Sequence, residues 1–187
     1  MMFRRQAVGG LAVLWARAAS PGFDKKAIAH RMSSPSTVGL AVPDFSAPLT
    51  GGKTFKLSEH RGSKLVLYFY PKDSTPGCTT EGENFRDLSA AFAAANTQII
   101  GVSRDSLKSH ENFKAKMNFP FELLSDPDEA VCLMFDVMKM KNMYGKQVRG
   151  VERSTFLIDG EGRVAREWRG VKVPGHAQAV LEATQAL

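Results

Sequence analysis

The residues best placed to do chemistry lie in the stretch Tyr70-Pro71-Lys72-Asp73-Ser74-Thr75-Pro76-Gly77-Cys78-Thr79-Thr80-Glu81. An apolar run ends at Pro71, a loop with two prolines and a glycine follows, and Cys78 stands where a helix is expected to begin. The first turn of a helix carries unpaired N–H groups and the positive end of the dipole, both of which favour a thiolate over a thiol. Thr75, three residues earlier, adds a hydroxyl able to face the sulfur, and Pro71 a ring able to shield it from water. Position alone leaves two readings open. Cys78 is either a small buried hydrophobe, the usual fate of a lone cysteine, or an activated nucleophile. Thr75 is either a turn residue bonding its own backbone or a donor at a reacting centre.

The other chemistry-bearing residues offer less. Cys132 lies in the apolar segment Glu129-Ala130-Val131-Cys132-Leu133-Met134-Phe135 and reads as packed core, with a resolving role as the alternative. Two cysteines are too few for a disulfide scaffold. Cys78-Thr79-Thr80-Glu81 lacks the second sulfur of C-x-x-C, which argues against a thiol–disulfide oxidoreductase. His30, His60, His110 and His176 show no spacing that singles out a base for a cysteine hydrolase. No paired Cys/His or H-x-x-x-H arrangement is present, so neither a metal nor a cofactor is expected. Gly160-Glu161-Gly162 reads as a hairpin turn rather than a phosphate cradle. The cluster Lys139-Met140-Lys141-Asn142-Met143-Tyr144-Gly145-Lys146 reads as a solvated, methionine-rich loop; a non-catalytic basic module binding nucleic acid is the competing reading.

The elements that must position Cys78 follow from periodicity. Leu65-Val66-Leu67-Tyr68-Phe69-Tyr70 is a continuous apolar run that predicts a buried central strand. Phe85, Leu88 and Phe92 fall at helical spacing after Cys78. Gln98 to Ser103 predicts a second buried strand, Ser106 to Met117 a helix closed by Pro120, and Phe121 to Leu124 a short strand. A helix is expected around Glu129 to Phe135, then a hairpin of Ser154–Asp159 and Arg163–Trp168, then a final helix from His176 with Ala177, Val180, Leu181 and Thr184 on its apolar stripe. The order β-α-β-α-β-α-β-β-α predicts an α/β domain with a central, mixed sheet flanked by helices. It is the element order of a thioredoxin-like fold.

At 187 residues, with 43% hydrophobic and 24% charged, the chain is long enough for one domain with its own core. Its charge of +6 invites a polyanionic partner. The charge sits in the wrong place for that. Arg4, Arg5, Arg17, Lys25, Lys26 and Arg31 precede Met32 against the single acid Asp24, and from Met32 onward the balance is nearly neutral. Residues 1–36 are therefore read as a basic leader and 37–187 as the domain. The leader is a mis-called start with translation beginning at Met32, or a secretory signal, or a transit peptide; its apolar run is too short to span a bilayer.

Pro71-x-x-x-Thr75-x-x-Cys78 resembles the active-site signature of the peroxiredoxins. The longer string Tyr68-Phe69-Tyr70-Pro71-Lys72-Asp73-x-Thr75-Pro76-Gly77-Cys78-Thr79 is similar to the bacterioferritin-comigratory-protein (peroxiredoxin Q) branch. The likeness continues through Gly101-Val102-Ser103, Leu124-Ser125-Asp126-Pro127, Met143-Tyr144-Gly145-Lys146, Arg153-Ser154-Thr155-Phe156-Leu157-Ile158-Asp159 and Val171-Lys172-Val173-Pro174-Gly175-His176. The resemblance implies a thioredoxin-like fold and a thiol-dependent peroxidase. It makes Cys78 the peroxidatic nucleophile, with Thr75, Pro71 and Arg153 completing the site. Many members of the branch carry a resolving cysteine five residues after the nucleophile, where this chain has Glu83. The implied cycle is accordingly of one-cysteine type, recycled by thioredoxin, glutaredoxin or glutathione. A monomer in the cytoplasm is expected, without nucleic-acid or membrane partners. Were the leader a working targeting segment, the location would be exported or organellar.

Overall fold

The computed structural model describes residues 36–143 and 145–187. The basic leader thus lies outside the described residues, apart from Ser36. Nine strands are described: β1 (Ser46–Leu49), β2 (Lys53–Lys56), β3 (Lys64–Phe69), β4 (Thr97–Ser103), β5 (Glu122–Ser125), β6 (Met138–Met143), β7 (Lys146–Val151), β8 (Ser154–Ile158) and β9 (Val164–Trp168). The α-helices are α1 (Pro76–Asp87), α2 (Ser89–Ala94), α3 (Leu107–Met117), α4 (Ala130–Met134) and α5 (His176–Gln185). Seven strands form one sheet in the order β2-β1-β5-β4-β3-β8-β9. β3, β4 and β5 run parallel, while β8 lies antiparallel beside β3 and β9 beside β8. The sheet is mixed and helix-flanked, as the element order predicted.

β3 is the hinge of the packing. Its side chains alternate between two faces. Leu65, Leu67 and Phe69 enter one core with Phe45, Phe55, Cys132, Phe135 and Phe156, under α4 and the β1–β2 hairpin. Val66, Tyr68 and Tyr70 enter the other with Cys78, Phe85, Phe92, Phe113, Val180 and Leu181, under α1, α2, α3 and α5. Tyr68 lies flat beneath α1, its ring stacked 4.7 Å from Phe85 and 5.5 Å from Tyr70. Phe85 also meets Phe92 at 5.9 Å and the His176 ring edge-on at 6.1 Å. This aromatic pile seats α1, and therefore Cys78, on the sheet.

Three features depart from the expectation. The helix after Cys78 is two helices, because the backbone at Leu88 (φ −98°, ψ 1°) breaks it before Phe92. A hairpin, β1–β2, precedes the first expected strand. The basic cluster is a hairpin rather than a loop: β6 and β7 pair from Met138↔Val151 to Met143↔Lys146, apart from the main sheet. Met138-Lys139-Met140-Lys141 alternates with period two, which suits a strand, and Gly145 at φ +79° makes its turn. No helix among the described residues is long and apolar enough to cross a membrane.

Gly101 lets the central strands carry this pile. A Cβ there would stand 2.7 Å from the Tyr68 Cζ and Oη and 2.8 Å from Leu123 Cδ2. Gly101→Ala is expected to cost about 1–3 kcal/mol through overpacking, read from urea unfolding midpoints at constant slope. Stability within about 0.5 kcal/mol of the parent would contradict this packing.

Candidate active site

Cys78 sits in the first turn of α1, with Pro76 as the first helical residue and Thr75 as the extended N-cap (φ −81°, ψ 149°). Proline suits that position because the N–H it lacks has no helical acceptor. Cys78 is 2% exposed. Arg153, the last residue before β8, reaches across the sheet end and donates from Nη2 to Cys78 Sγ at 3.3 Å. Gly77 leaves room for this approach, since a Cβ there would lie 3.3 Å from Nη2.

The other arm of the guanidinium, Nη1, forms a salt bridge with Glu81 Oε2. Glu81 is one helical turn after Cys78, so both side chains lie on the same face of α1. Its carboxylate is fully buried, and Oε1 has no hydrogen-bond partner among the described residues. Burial pushes the Glu81 carboxyl up to about 7, against the opposing pull of Arg153. Burial also works against the charge on Arg153, but Glu81 and Cys78 outweigh it and hold its pKa above the ordinary value.

Below this triad the loop from β3 to α1 is pinned by a polar network. Asp73 is buried and accepts from Tyr70 Oη at 2.8 Å, from Ser109 Oγ at 2.7 Å and from His110 Nδ1 at 2.9 Å. The far side of the His110 ring places Nε2 3.1 Å from the Leu124 carbonyl. The Asp73 N–H donates to Asp105 Oδ2 at 2.9 Å. Burial raises the Asp73 carboxyl, but His110, Ser109 and Tyr70 outweigh it and hold it below its usual value. One carboxylate thus ties the site loop to α3 and, through His110, to β5.

The residues singled out in the sequence divide clearly. Cys78 and Arg153 are brought together across 75 positions. Thr75 is half-buried, and its hydroxyl donates to Lys72 O at 2.9 Å instead of bonding the sulfur. A hydroxyl has one proton; with that proton committed to the loop, Thr75 Oγ keeps only acceptor lone pairs for a bound molecule. Pro71 is half-buried where the chain leaves β3. Cys132 is fully buried in the core on the opposite face of the sheet. Its thiol is pushed up, first by burial and then by Asp126. The N–H of Cys132 donates to Asp126 Oδ2 at 2.7 Å, which fixes α4 rather than serving the site.

Glu81 and the Asp73–His110 pair carry roles that the sequence reading missed. Glu81 had a signal, its three-residue spacing from Cys78. His110 had none, because nothing in the chain marks a partner 37 positions away. His176 is likewise structural: it packs edge-on to Trp168 at 5.8 Å and meets Thr155 Oγ1 at 2.7 Å. Burial, with Arg153 adding, pushes it down to about 4. Among the described residues no cluster of His, Cys, Asp and Glu is arranged to hold a metal.

The Glu81 shift has a sign that can be measured. A carboxyl with native pKa near 7 and an ordinary value of 4.5 binds more protons folded than unfolded between those limits. Stability from this group therefore falls as pH rises from about 4.5 to 7. His176, depressed to about 4, acts in the opposite direction up to its ordinary 6.5. The difference between the parent and Glu81→Gln isolates the carboxyl, because the amide keeps an acceptor for Arg153. Urea unfolding at pH 5 and pH 8 should show a gain in relative stability of the variant at the higher pH. An unchanged difference would refute the buried, titrating carboxylate.

Comparison with known proteins identifies the family. The AhpC/TSA family model matches residues 38–167. Peroxiredoxin Bcp of Xanthomonas campestris is 60% identical over 146 residues, 78% of this chain and 91% of its own. Peroxiredoxin Bcp of Bacillus subtilis is 51% identical over 150 residues, 80% of this chain and 94% of its own. A solved structure of Xanthomonas campestris peroxiredoxin Q superposes with a TM-score of 0.76 at 57% identity, covering 81% of this chain and 98% of that one. Another, at TM-score 0.73 and 59% identity over 76% of this chain and 90% of that one, comes from work on alkyl peroxide reduction by the bacterioferritin comigratory protein of that organism. A buried cysteine at a helix start under an arginine, on a thioredoxin-like sheet, with these relatives, places the chain in the AhpC/TSA family, within its Bcp/peroxiredoxin Q branch of thiol-dependent peroxidases.

Proposed function

We propose that Cys78 is the peroxidatic nucleophile of a one-cysteine cycle acting on hydrogen peroxide and alkyl hydroperoxides. The observation that carries this reading is the Arg153 contact to Sγ in the first turn of α1. The Cys78 thiolate attacks one peroxide oxygen, the O–O bond breaks, and the electron pair leaves on the departing oxygen. That alkoxide or hydroxide takes a proton from solvent, and Cys78 is left as sulfenic acid. Negative charge moves from sulfur to the departing oxygen, so donors already fixed in place lower the barrier without reorganisation. Arg153 is such a donor, because Glu81 and Cys78 hold it at both ends. The unpaired N–H groups of the first turn of α1 are others. Thr75 Oγ, its proton spent on Lys72 O, accepts the peroxide O–H and orients the molecule for attack.

The reduction half of the cycle calls on an outside thiol. Cys132 lies across the sheet from Cys78, in a separate core, and a disulfide needs Cα atoms within about 7 Å. The position five after Cys78 is Glu83. Solved variants of Xanthomonas campestris peroxiredoxin Q have one or the other of two cysteines replaced by serine. The two replaced positions lie 36 apart, and the residue 36 after Cys78 in this chain is Lys114. The sulfenic acid therefore condenses with an external thiol, releasing water and forming a mixed disulfide. A second thiol releases the disulfide and returns the Cys78 thiolate. A cytoplasmic monomer fits this reading.

Cys78→Ser should abolish peroxide consumption, and full turnover in that variant would end the assignment. Cys132→Ser should retain turnover with an added thiol. Intact mass after one equivalent of peroxide should show a single added oxygen on the parent; loss of two hydrogens, the mark of a Cys78–Cys132 disulfide, would falsify the one-cysteine cycle.

A further inference from the structure

Between Val137 and Arg153 the chain has Lys139, Lys141, Lys146, Arg149 and Arg153 against one acid, Glu152. The hairpin β6–β7 that holds most of them is set apart from the main sheet and ends two residues before Arg153. Two of its cations are occupied. Lys139 pairs with Asp136 at 2.7 Å, and Arg149 pairs with Glu129. Lys141 differs: it is half-buried, and its ammonium turns back along the hairpin to donate to the Val151 carbonyl. That places it beside the segment that delivers Arg153 to the sulfur. Burial pushes the Lys141 ammonium down, with Glu152 opposing, Arg153 adding and Cys78 opposing. An ammonium has three protons, and the Val151 carbonyl takes one. Among the described residues no carboxylate takes the others.

From the hairpin's charge and the position of Lys141 we propose that β6–β7 is the docking surface for the reducing thiol, that the thiol is a small molecule bearing carboxylates, and that Lys141 receives one of them. The proposal rests on the one-cysteine reading, since only an external reductant needs such a surface. Arg153 is committed to the buried Glu81 carboxylate and the Cys78 sulfur. Lys141, anchored on the Val151 carbonyl two residues before Arg153, supplies a separate cation. Exposed Lys72, on the loop between β3 and α1, adds positive charge from the site loop. A carboxylated thiol drawn by these lysines presents its sulfur to the Cys78 sulfenic acid. Its S–H then attacks the Cys78 sulfur, a sulfur–sulfur bond forms, and the sulfenic oxygen leaves as water.

The test is the rate of mixed-disulfide formation, followed by rapid-quench intact mass on the full chain oxidised with one equivalent of peroxide. Glutathione is the carboxylated probe, and mercaptoethanol, which has no charge, is the reference. The ratio of their rate constants should fall about threefold in Lys141→Met and about tenfold in Lys141→Glu, the size of a partly exposed ion pair lost and then reversed. Lys141→Arg should restore it, and added salt should lower the parent's ratio. A ratio unchanged in both variants overturns the proposal. So does a parallel fall with both thiols, which marks a merely structural role, or reduction by a protein dithiol such as thioredoxin alone. A Cys78–Cys132 disulfide seen before any thiol is added instead overturns the one-cysteine reading beneath it.

Discussion

The guanidinium of Arg153 is the charge around which this protein is organised. It is carried to the end of the sheet by β8 and held between the Glu81 carboxylate and the Cys78 sulfur. Burying a cation is costly unless it is paired and hydrogen-bonded. Glu81 provides the pairing, and in doing so becomes a buried anion with one oxygen unpartnered. The two unfavourable burials stabilise each other. What results is a fixed donor that points at the Cys78 sulfur.

That arrangement needs α1 and β8 at a fixed separation, and the rest of the fold supplies it. The Tyr68–Phe85–Phe92 pile sets the height of α1 above the sheet. Asp73 gathers Tyr70, Ser109 and His110 onto the loop that precedes it. Antiparallel pairing of Phe69 with Ser154 sets Arg153 at the end of β3, where that loop begins. Each contact is modest alone. Together they turn a proline- and glycine-containing loop into a rigid seat.

The sheet also separates the two sulfurs. It divides the core in two, and each half holds one cysteine. Cys132 is walled off behind Leu67 and Phe69, in a setting that disfavours its thiolate. Cys78 lies in the other half, and the positive β6–β7 hairpin ends two residues before the Arg153 that contacts its sulfur. The +6 of the sequence belongs mostly to the leader, and the domain itself is nearly neutral.

Much of the site could be read without coordinates. Cys78, Thr75 and Pro71 lie within eight residues, and local rules of loop and helix start apply directly to such a stretch. The strands around Val66, Ile99 and Leu157 declared themselves by continuous apolar runs, because strands buried on both faces leave no polar positions. The β6–β7 hairpin did not, since its alternation is of methionine and lysine and half of it faces solvent. Nor did the one-residue break at Leu88, which propensity does not mark.

Sequence alone marked Cys78 as the candidate nucleophile and determined its helix-start position and the absence of a nearby second sulfur, the last two being matters of spacing along the chain. Only the tertiary structure decided that Glu81 holds Arg153, that Asp73 and His110 pin the loop, and that Cys132 lies behind the sheet. Those depend on which residues far apart in the chain meet when strands pair and helices cover them. Pairing and covering are governed by the whole pattern of burial, not by any one segment.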